Sequence, residues 1–312
     1  MIKFRKPKFW DSKKISFFSI LLLPISLVTL IMIFLKKIFL REKKFKIPII
    51  CVGNIYIGGT GKTPTSIFIA KELLNLGIKP AILCKYYKDH IDEYKLIKNN
   101  FNDLIINKNR EAGIIDAHEK KYDILIFDDG LQDYKIKKDL KIVCFNNHQK
   151  FGNGLILPAG PLRESLNALR YADIILLNGD RDFKFEEKLL EKNRNLEIYY
   201  SYYKPANINE FKNQKLLALA GIANPENFFM LLEKNNLELK KKLIFPDHYN
   251  FTKNEMISII KMAEKDRLKI IMTEKDYFKV NDYKLDKLNY LKVKLEIKNK
   301  EKLLDKIKGI CG

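Results

Sequence analysis

The sequence is poor in the residues that build disulfide frameworks and metal centres. Its 312 residues include four cysteines, four histidines and one tryptophan, and no two cysteines form a CxxC pair. Cys51, Cys84 and Cys144 lie in apolar runs typical of core strands, so we expect buried, reduced and inert thiols. No cluster of histidine and cysteine is present, and the sequence therefore predicts no structural zinc site.

Arginine is scarce as well, although the chain is strongly basic. Only eight of the 58 basic residues are arginine, and the formal net charge is +20. Such a charge has two interpretations: lysines spread over solvated faces, or attraction to an anionic membrane or nucleic acid. No RNA- or DNA-binding motif accompanies the lysines, so we expect no nucleic-acid partner.

Charge is absent from residues 15–35, a run of 21 residues that reads ISFFSILLLPISLVTLIMIFL. As a helix it would be roughly 31 Å long, close to the thickness of a hydrocarbon core. Its length and the Lys36-Lys37-Ile38-Phe39 that follows argue against a cleaved signal peptide, and a run this long is rare in soluble cores. Six basic residues on each flank leave the orientation open, and Pro24 permits a kinked spanning helix or a shallow hairpin. We predict a membrane anchor over residues 1–46.

Short apolar runs alternate with helical patterns along the rest of the chain. The run at 47–52 precedes a glycine-rich loop and a helix that ends at Gly77, and similar runs recur up to 174–177. This alternation predicts an α/β fold, a P-loop NTPase-like parallel sheet with helices on both faces. A second alternating run predicts a smaller α/β domain, so we expect domains over 47–205 and 206–312.

The loop after the first predicted strand has the composition of a phosphate-binding loop. It reads GNIYIGGTGKT from Gly53 to Thr63, and Tyr56 stands where GxxxxGK[ST] would have its first glycine. Phosphate oxygens need converging backbone N–H groups, and glycines leave that approach open. Lys62 is suited to the β- and γ-phosphates and the Thr63 hydroxyl to Mg²⁺. The residues predicted to bind ATP are Gly58, Gly59, Thr60, Gly61, Lys62 and Thr63.

Two further segments carry candidate site residues. Asp128 and Asp129 follow the apolar run 124–127, where an open parallel sheet binds ligands, and we expect them to hold Mg²⁺ with Thr63. A glycine- and proline-rich loop over 151–164 contains one arginine, Arg163, which suits a phosphate or carboxylate. A plain Asp-Gly turn and an ordinary surface arginine are the alternatives.

These motifs resemble those of the tetraacyldisaccharide 4′-kinases of lipid A synthesis. The resemblance covers nearly the whole chain in order and rests on VGNIYIGGTGKTP, DDGLQD at 128–133, FGNGLILPAGPLRE at 151–164, AGIANPENFF at 220–229, FPDHYNFT at 245–252 and TEKD at 273–276. It implies ATP- and Mg²⁺-dependent phosphorylation of the 4′-hydroxyl of a tetraacyldisaccharide 1-phosphate. The implied partners are this glycolipid and membrane lipid, and we infer no obligate protein partner. The implied location is the bacterial inner membrane, with the catalytic domains on its cytoplasmic face.

The resemblance also implies the catalytic residues. In that family a carboxylate supported by a histidine acts as the base. The matching residues here are Asp92 and His248, and a neighbouring histidine makes a proton relay credible. With Lys62 and Arg163, assigned above from the two loops, they form the predicted catalytic set.

Departures from the family pattern lie on the acceptor side and leave the nucleotide motifs intact. Asp92 lacks the family's flanking glycine and proline, Lys85-Tyr86-Tyr87 stands in place of Arg-Gly-Tyr, and Asn109-Arg110 in place of Asp-Arg. A second hypothesis from the residues alone is a membrane-tethered P-loop ATPase whose hydrolysis drives a protein partner. Acceptor dependence separates the two.

Overall fold

The computed structural model describes residues 6–12 and 14–311, and these divide into two compact units. The P-loop unit comprises residues 6–86, 101–202 and 297–311, and the smaller unit comprises residues 87–100 and 203–296. Consecutive domains over 47–205 and 206–312 remain a prediction. The compact units differ from them in two segments, because 87–100 groups with the smaller unit and 297–311 with the P-loop unit.

Nine α-helices are formed by the part of the chain that the structure describes. They are α1 (Phe17–Phe39), α2 (Lys62–Asn75), α3 (Ile91–Asn100), α4 (Arg110–Glu119), α5 (Phe183–Leu190), α6 (Pro225–Lys234), α7 (Lys253–Lys265), α8 (Glu274–Val280) and α9 (Lys300–Cys311). Side chains cap several of their amino termini. Asn109 accepts a hydrogen bond from the backbone of Glu111 in α4, and Thr252 forms a reciprocal capping box with Glu255 in α7.

The strands belong to two sheets. They are β1 (Ile49–Gly53), β2 (Pro80–Lys85), β3 (Leu104–Asn107), β4 (Ile124–Asp128), β5 (Leu140–Asn146), β6 (Ile174–Asn178), β7 (Glu197–Pro205), β8 (Lys215–Ala220), β9 (Glu238–Ile244), β10 (Lys269–Thr273), β11 (Leu288–Leu291) and β12 (Val293–Ile297). The eight-stranded sheet has the order β12-β7-β6-β5-β1-β4-β2-β3, and the four-stranded sheet has the order β11-β10-β8-β9.

The larger sheet places the phosphate-binding loop beside an acidic strand end. β1 pairs in parallel with β4, so Ile49 lies opposite Leu125 and Val52 lies opposite Asp128. Both strands are buried along their whole length, which explains their continuous apolar runs. The carboxyl ends of β1 and β4 therefore meet at one edge, where ligands bind in parallel sheets.

The smaller unit is a second parallel sheet with helices on its two faces. β8 lies between β9 and β10, and its alternate residues pack against α6 on one side and α7 on the other. β9 begins at Glu238, although only its end, from residue 243, belongs to an apolar run. Its ELKKKLI sequence alternates exposed and half-buried positions, as an edge strand does, and the lysines conceal it from a search for apolar runs. The predicted α/β fold class and the N-terminal apolar helix are confirmed, and the separate four-stranded sheet agrees with a second, smaller α/β domain.

Candidate functional site

The phosphate-binding loop joins β1 to α2 and depends on two glycines. Gly58 has φ +107° and Gly61 has φ +92°, a left-handed region that other residues rarely occupy. Gly61 is the N-cap of α2, so the first free N–H groups of that helix lie just beyond it. Lys62 and Thr63 are the first two residues of α2, Gly59 is exposed, and Thr60 is buried.

Tyr56, which replaces the usual first glycine, anchors this loop. Its side chain is fully buried and its hydroxyl donates a hydrogen bond to Asp11. The backbone around it pairs with the second motif loop: Ile57 N donates to Pro161 O at 2.8 Å, and Arg163 N donates to Ile55 O at 2.7 Å. The phosphate-binding loop and the 151–164 loop are therefore one hydrogen-bonded piece of structure.

Asn54 supports the loop from inside. Its side chain is fully buried, and its Nδ2 donates to the Thr60 hydroxyl at 2.9 Å and to the Gly58 carbonyl at 3.2 Å. These bonds fix the curvature of the segment between the two residues. Asn54 is not among the predicted site residues, although it lies directly after a buried strand and before the loop glycines.

Asp128 lies at the end of β4 beside two hydroxyl groups. The Thr63 hydroxyl donates to its Oδ2 at 2.8 Å, and the Ser66 hydroxyl donates to its Oδ1 at 3.2 Å. Asp128 and Thr63 are both buried. A carboxylate next to a P-loop hydroxyl supplies the oxygen donors that Mg²⁺ prefers, so these residues fit a magnesium ion. Sequence reasoning did not name Ser66.

The Asp129 carboxylate lies close to both Lys62 and Arg163, the two cations predicted to bind phosphate. Arg163 Nη1 donates to both of its carboxylate oxygens, at 2.8 and 2.9 Å, and Lys62 Nζ lies 3.7 Å from Oδ2. Asp129 itself has φ +58°, a left-handed conformation that aspartate tolerates better than most residues. Its carboxylate thus faces cations here, whereas that of Asp128 faces hydroxyl groups.

Arg110 holds the unusual backbone at Asp129. Its Nη2 donates to the Asp129 carbonyl at 2.6 Å, its Nη1 lies 3.4 Å from Asp133, and its side chain is buried. Asn109, which differs from the family's aspartate, still caps α4, because asparagine and aspartate are equally good N-caps. This departure preserves the local structure that positions Arg110.

In the smaller unit, Asp92 and His248 lie in contact. His248 Nδ1 is 3.1 and 3.2 Å from the two carboxylate oxygens of Asp92. Asp92 is the second residue of α3, and its side chain is 4% exposed, against 24% for His248. His248 has φ +54°, and the His90 ring stacks on it at 4.8 Å between centroids. The implied pair is thus brought together from segments 156 residues apart.

Two lysines of α8 also reach Asp92. Lys275 Nζ and Lys279 Nζ lie 3.5 and 3.4 Å from its Oδ2. Burial alone would raise the pKa of the Asp92 carboxyl, but the hydrogen bond with His248 and the charges of the lysines lower it to about 2. Asp92 is therefore a carboxylate throughout the neutral pH range. Neither lysine was predicted, although TEKD, one of the quoted motifs, contains Lys275.

Helix α1 is apolar and largely exposed, yet three of its side chains form hydrogen bonds or an ion pair with the rest of the P-loop unit. Ser19 Oγ is 3.2 Å from Asn153 Nδ2, and Ser26 Oγ donates to Ile156 O and accepts from Ala159 N, both at 2.9 Å. Lys37 Nζ pairs with the buried Glu164 at 2.7 Å. Only 11% of the most apolar part of α1 is buried. α1 is long and apolar enough to cross a membrane, and it associates directly with the 151–164 loop.

These features define a P-loop nucleotide-binding protein. A glycine-rich loop follows β1 of a parallel sheet, hydroxyl and carboxylate groups lie at the edge of that sheet, and two cations lie beside them. Comparison with known proteins makes this specific. The family model LpxK, tetraacyldisaccharide-1-P 4′-kinase, matches residues 18–311. The chain belongs to this family, as its motifs implied, and the predicted enzyme class, an ATP-dependent kinase of lipid A synthesis, is confirmed.

Individual relatives are similar to this chain over nearly their whole length. The chain is 41% identical to the tetraacyldisaccharide 4′-kinase of Pelagibacter ubique, covering 98% of each. It is 34% identical to that of Rickettsia bellii, covering 98% of this chain and 99% of the relative. The crystal structure of LpxK from Aquifex aeolicus in complex with ATP superposes with a TM-score of 0.72 and 26% identity, over 94% of this chain and 99% of that one.

Proposed function

We propose that this chain transfers the γ-phosphoryl group of ATP to the 4′-hydroxyl of a tetraacyldisaccharide 1-phosphate. Family membership over residues 18–311 is the observation that carries the proposal. The pairing of Lys62 and Arg163 through Asp129 supports it, because two cations at the mouth of a phosphate-binding loop suit the charge of a transferring phosphoryl group.

The P-loop unit would bind the nucleotide. Backbone N–H groups from Gly58 to Thr63 and the start of α2 would surround the phosphates, with Lys62 on the β- and γ-oxygens. Thr63 and Asp128 would hold Mg²⁺, which neutralises phosphate charge when bound. Asp129 holds Lys62 and Arg163 close together before the nucleotide arrives. Its carboxylate is already paired with them, so we assign it this positioning role ahead of direct metal contact.

The smaller unit would supply the base. Asp92, paired with His248, would accept the proton of the acceptor hydroxyl or orient that hydroxyl for attack. A carboxylate with a pKa of about 2 is a weak base for an alcohol, so alignment of the hydroxyl is the larger part of its role. His248, the more exposed of the two, offers a route for the proton to solvent.

An apolar groove beside α1 suits the acyl chains of a glycolipid. It has a volume of about 770 Å³ and lies between one face of α1 and the segments 154–156 and 165–167. Its lining includes Leu23, Leu27 and Leu30. Because the 151–164 loop also carries Arg163, acyl chains held in this groove would bring the sugar headgroup to the phosphate-binding side of the same loop.

We infer that α1 lies in the plane of the bacterial inner membrane, on its cytoplasmic side. The residues of α1 that bond to the 151–164 loop extend from Ser19 to Lys37, which is a helix length of about 27 Å. A helix that crosses a bilayer is surrounded by lipid over about 30 Å and cannot also lie against a water-soluble unit for that length. The exposed apolar face would enter the lipid surface, with basic residues at both ends among the headgroups.

Labelling of both ends of α1 tests this arrangement. Cysteines introduced by Lys14→Cys and Lys44→Cys, in a Cys311→Ser background, are expected to react with a membrane-impermeant maleimide from the same side of sealed vesicles. The native Cys51, Cys84 and Cys144 are buried and serve as the unreactive background. Labelling of the two positions from opposite sides would contradict the in-plane helix and support a spanning one.

The activity itself is tested by phosphoryl transfer from radiolabelled ATP. With Mg²⁺ present, the purified chain is expected to label a tetraacyldisaccharide 1-phosphate and to consume ATP at least about 100-fold faster with this acceptor than without it. The proposed binding of acyl chains in the groove is tested by replacing this acceptor with a disaccharide 1-phosphate that lacks acyl chains. Fast ATP hydrolysis whose rate does not change with the glycolipid but rises with a protein would instead favour the membrane-tethered ATPase.

A further inference from the structure

The start of α8 is built so that its side chains face α3. Thr273 caps the helix by accepting a hydrogen bond from Asp276 N, and the fully buried Asp276 carboxylate accepts from the Thr273 hydroxyl at 2.7 Å. The same Asp276 Oδ2 accepts from Gly221 N at 2.7 Å, at the end of β8. The TEKD and AGIANPENFF motifs, which have no assigned role, are thus linked by hydrogen bonds at Asp276, and these bonds fix the direction of α8.

Lys275 and Lys279 lie one turn apart on α8, so they share a face. Lys279 is 7% exposed, and its Nζ contacts Asp276 Oδ1 at 2.9 Å, the Gly221 carbonyl at 3.3 Å and Asp92 Oδ2 at 3.4 Å. Lys275 is 16% exposed, and its Nζ lies 3.5 Å from the same Oδ2 and 3.4 Å from His248 Nε2. Both members of the Asp92–His248 pair therefore have a lysine contact.

These contacts leave the Asp92 carboxylate with one orientation. Its Oδ2 faces two ammonium groups and His248 Nδ1, while Oδ1 accepts from Glu93 N at 3.0 Å and faces the same ring nitrogen. A buried carboxylate is costly unless it is paired, and the two lysines supply that pairing. If either lysine lost its charge, Asp92 would be free to turn away from His248 or to take up a proton.

The carboxylates around Lys275 hold it in place. Its Nζ lies 3.3 Å from Glu93 Oε1 and 3.4 Å from Asp247 Oδ1, and Asp247 precedes His248. Burial alone would lower the pKa of Lys275, but Asp247, Glu93 and Asp92 outweigh burial and raise it. Lys275 is therefore a fixed positive charge that joins α3, α8 and the loop of His248.

We propose that Lys275 and Lys279 are positioning residues for the reaction: they hold the Asp92 carboxylate ionised and aligned with His248. In this proposal they act through Asp92, whose Oδ2 both ammonium groups face, and the role requires no contact with nucleotide or acceptor. The inference rests on the proposed role of Asp92 as base. The competing explanation is an ion-pair network that stabilises the smaller unit and has no effect on the pair.

A double-mutant cycle separates the two explanations, because a residue that acts through Asp92 has no effect once Asp92 is gone. Lys275→Met is expected to lower kcat about 10- to 100-fold, with the KM for ATP unchanged, since small displacements of a catalytic group have effects of that size. In an Asp92→Asn background the same change is expected to alter the residual kcat by less than about 2-fold. Lys275→Arg, which keeps the charge, is expected to recover part of kcat.

Lys279→Met is tested in the same way. The matched control is Lys261→Met, which removes an exposed lysine from α7 and is expected to leave kcat at the wild-type value. Lys279 also pairs with the buried Asp276, so thermal unfolding of each variant is measured first, and Lys275→Met carries the test if Lys279→Met does not fold. Equal losses of kcat in the wild-type and Asp92→Asn backgrounds, or a folded Lys275→Met with wild-type kcat, would overturn the inference. Absence of glycolipid phosphorylation by the wild-type chain would overturn the proposed function instead.

Discussion

Replacement of Lys62 by alanine is expected to lower kcat/KM for ATP by about 10³-fold, the largest loss among single changes in the P-loop unit. Lys62 is the first residue of α2, and its ammonium group lies at the loop where the phosphates would bind. Its removal would take away a charge-assisted donor from the transferring phosphoryl group, and it breaks the ion pair between Lys62 and Asp129. Initial rates at varied ATP concentration measure the effect.

Two controls make that result specific. Lys188→Ala removes an exposed lysine from α5 in the same unit and is expected to leave kcat/KM unchanged. Lys62→Arg keeps the charge but changes its shape, so it should recover only a small part of the activity. If Lys62→Ala were folded and within about 3-fold of the wild type, the assignment of the 53–63 loop to ATP would be wrong.

Replacement of Asp92 by asparagine is expected to lower kcat by about 10²- to 10⁴-fold with little change in the KM for ATP. Asparagine has nearly the same shape but cannot accept a proton, and it cannot pair with the positive charges of Lys275 and Lys279. The loss should therefore appear in the chemical step. Single-turnover transfer of radiolabelled phosphate to the glycolipid measures it directly.

The matched control for this change is Asp89→Asn, an exposed carboxylate three residues earlier, with no expected effect on kcat. His248→Gln is expected to have a smaller effect, about 10- to 100-fold, because Asp92 remains ionised beside the lysines. A larger loss for His248→Gln than for Asp92→Asn would assign the base to the histidine and make Asp92 its support.

Much of the fold follows from the sequence because buried parallel strands have a simple pattern. The runs that became β1 and β4 are apolar at every position, since both faces of the larger sheet are covered, and Pro64 and Gly77 mark the limits of α2. The pattern fails where one face is solvated, as in β9. It also gave no account of α3, whose charged residues conceal a helix assembled against a distant part of the chain.

The site was predictable to the extent that its chemistry lies in local motifs. The loop glycines, Lys62, Thr63 and Asp128 occupy consecutive or strand-end positions, and local rules are enough to find them. The support given by Asn54, Arg110 and the lysines of α8 depends on contacts between segments far apart in sequence, which no periodicity records. For the pair of Asp92 and His248, only the family resemblance connected the two positions.

The discontinuous grouping of the chain limits how the protein can be taken apart. The segment that carries Asp92 is continuous in sequence with the P-loop unit on both sides, and α9 follows the smaller unit although it groups with the other one. No single cut therefore yields a complete unit: a product ending near residue 202 would lack α9, and one starting near 203 would lack the segment that carries Asp92. Separate production of the two units requires a circular permutation or a replacement linker for residues 87–100.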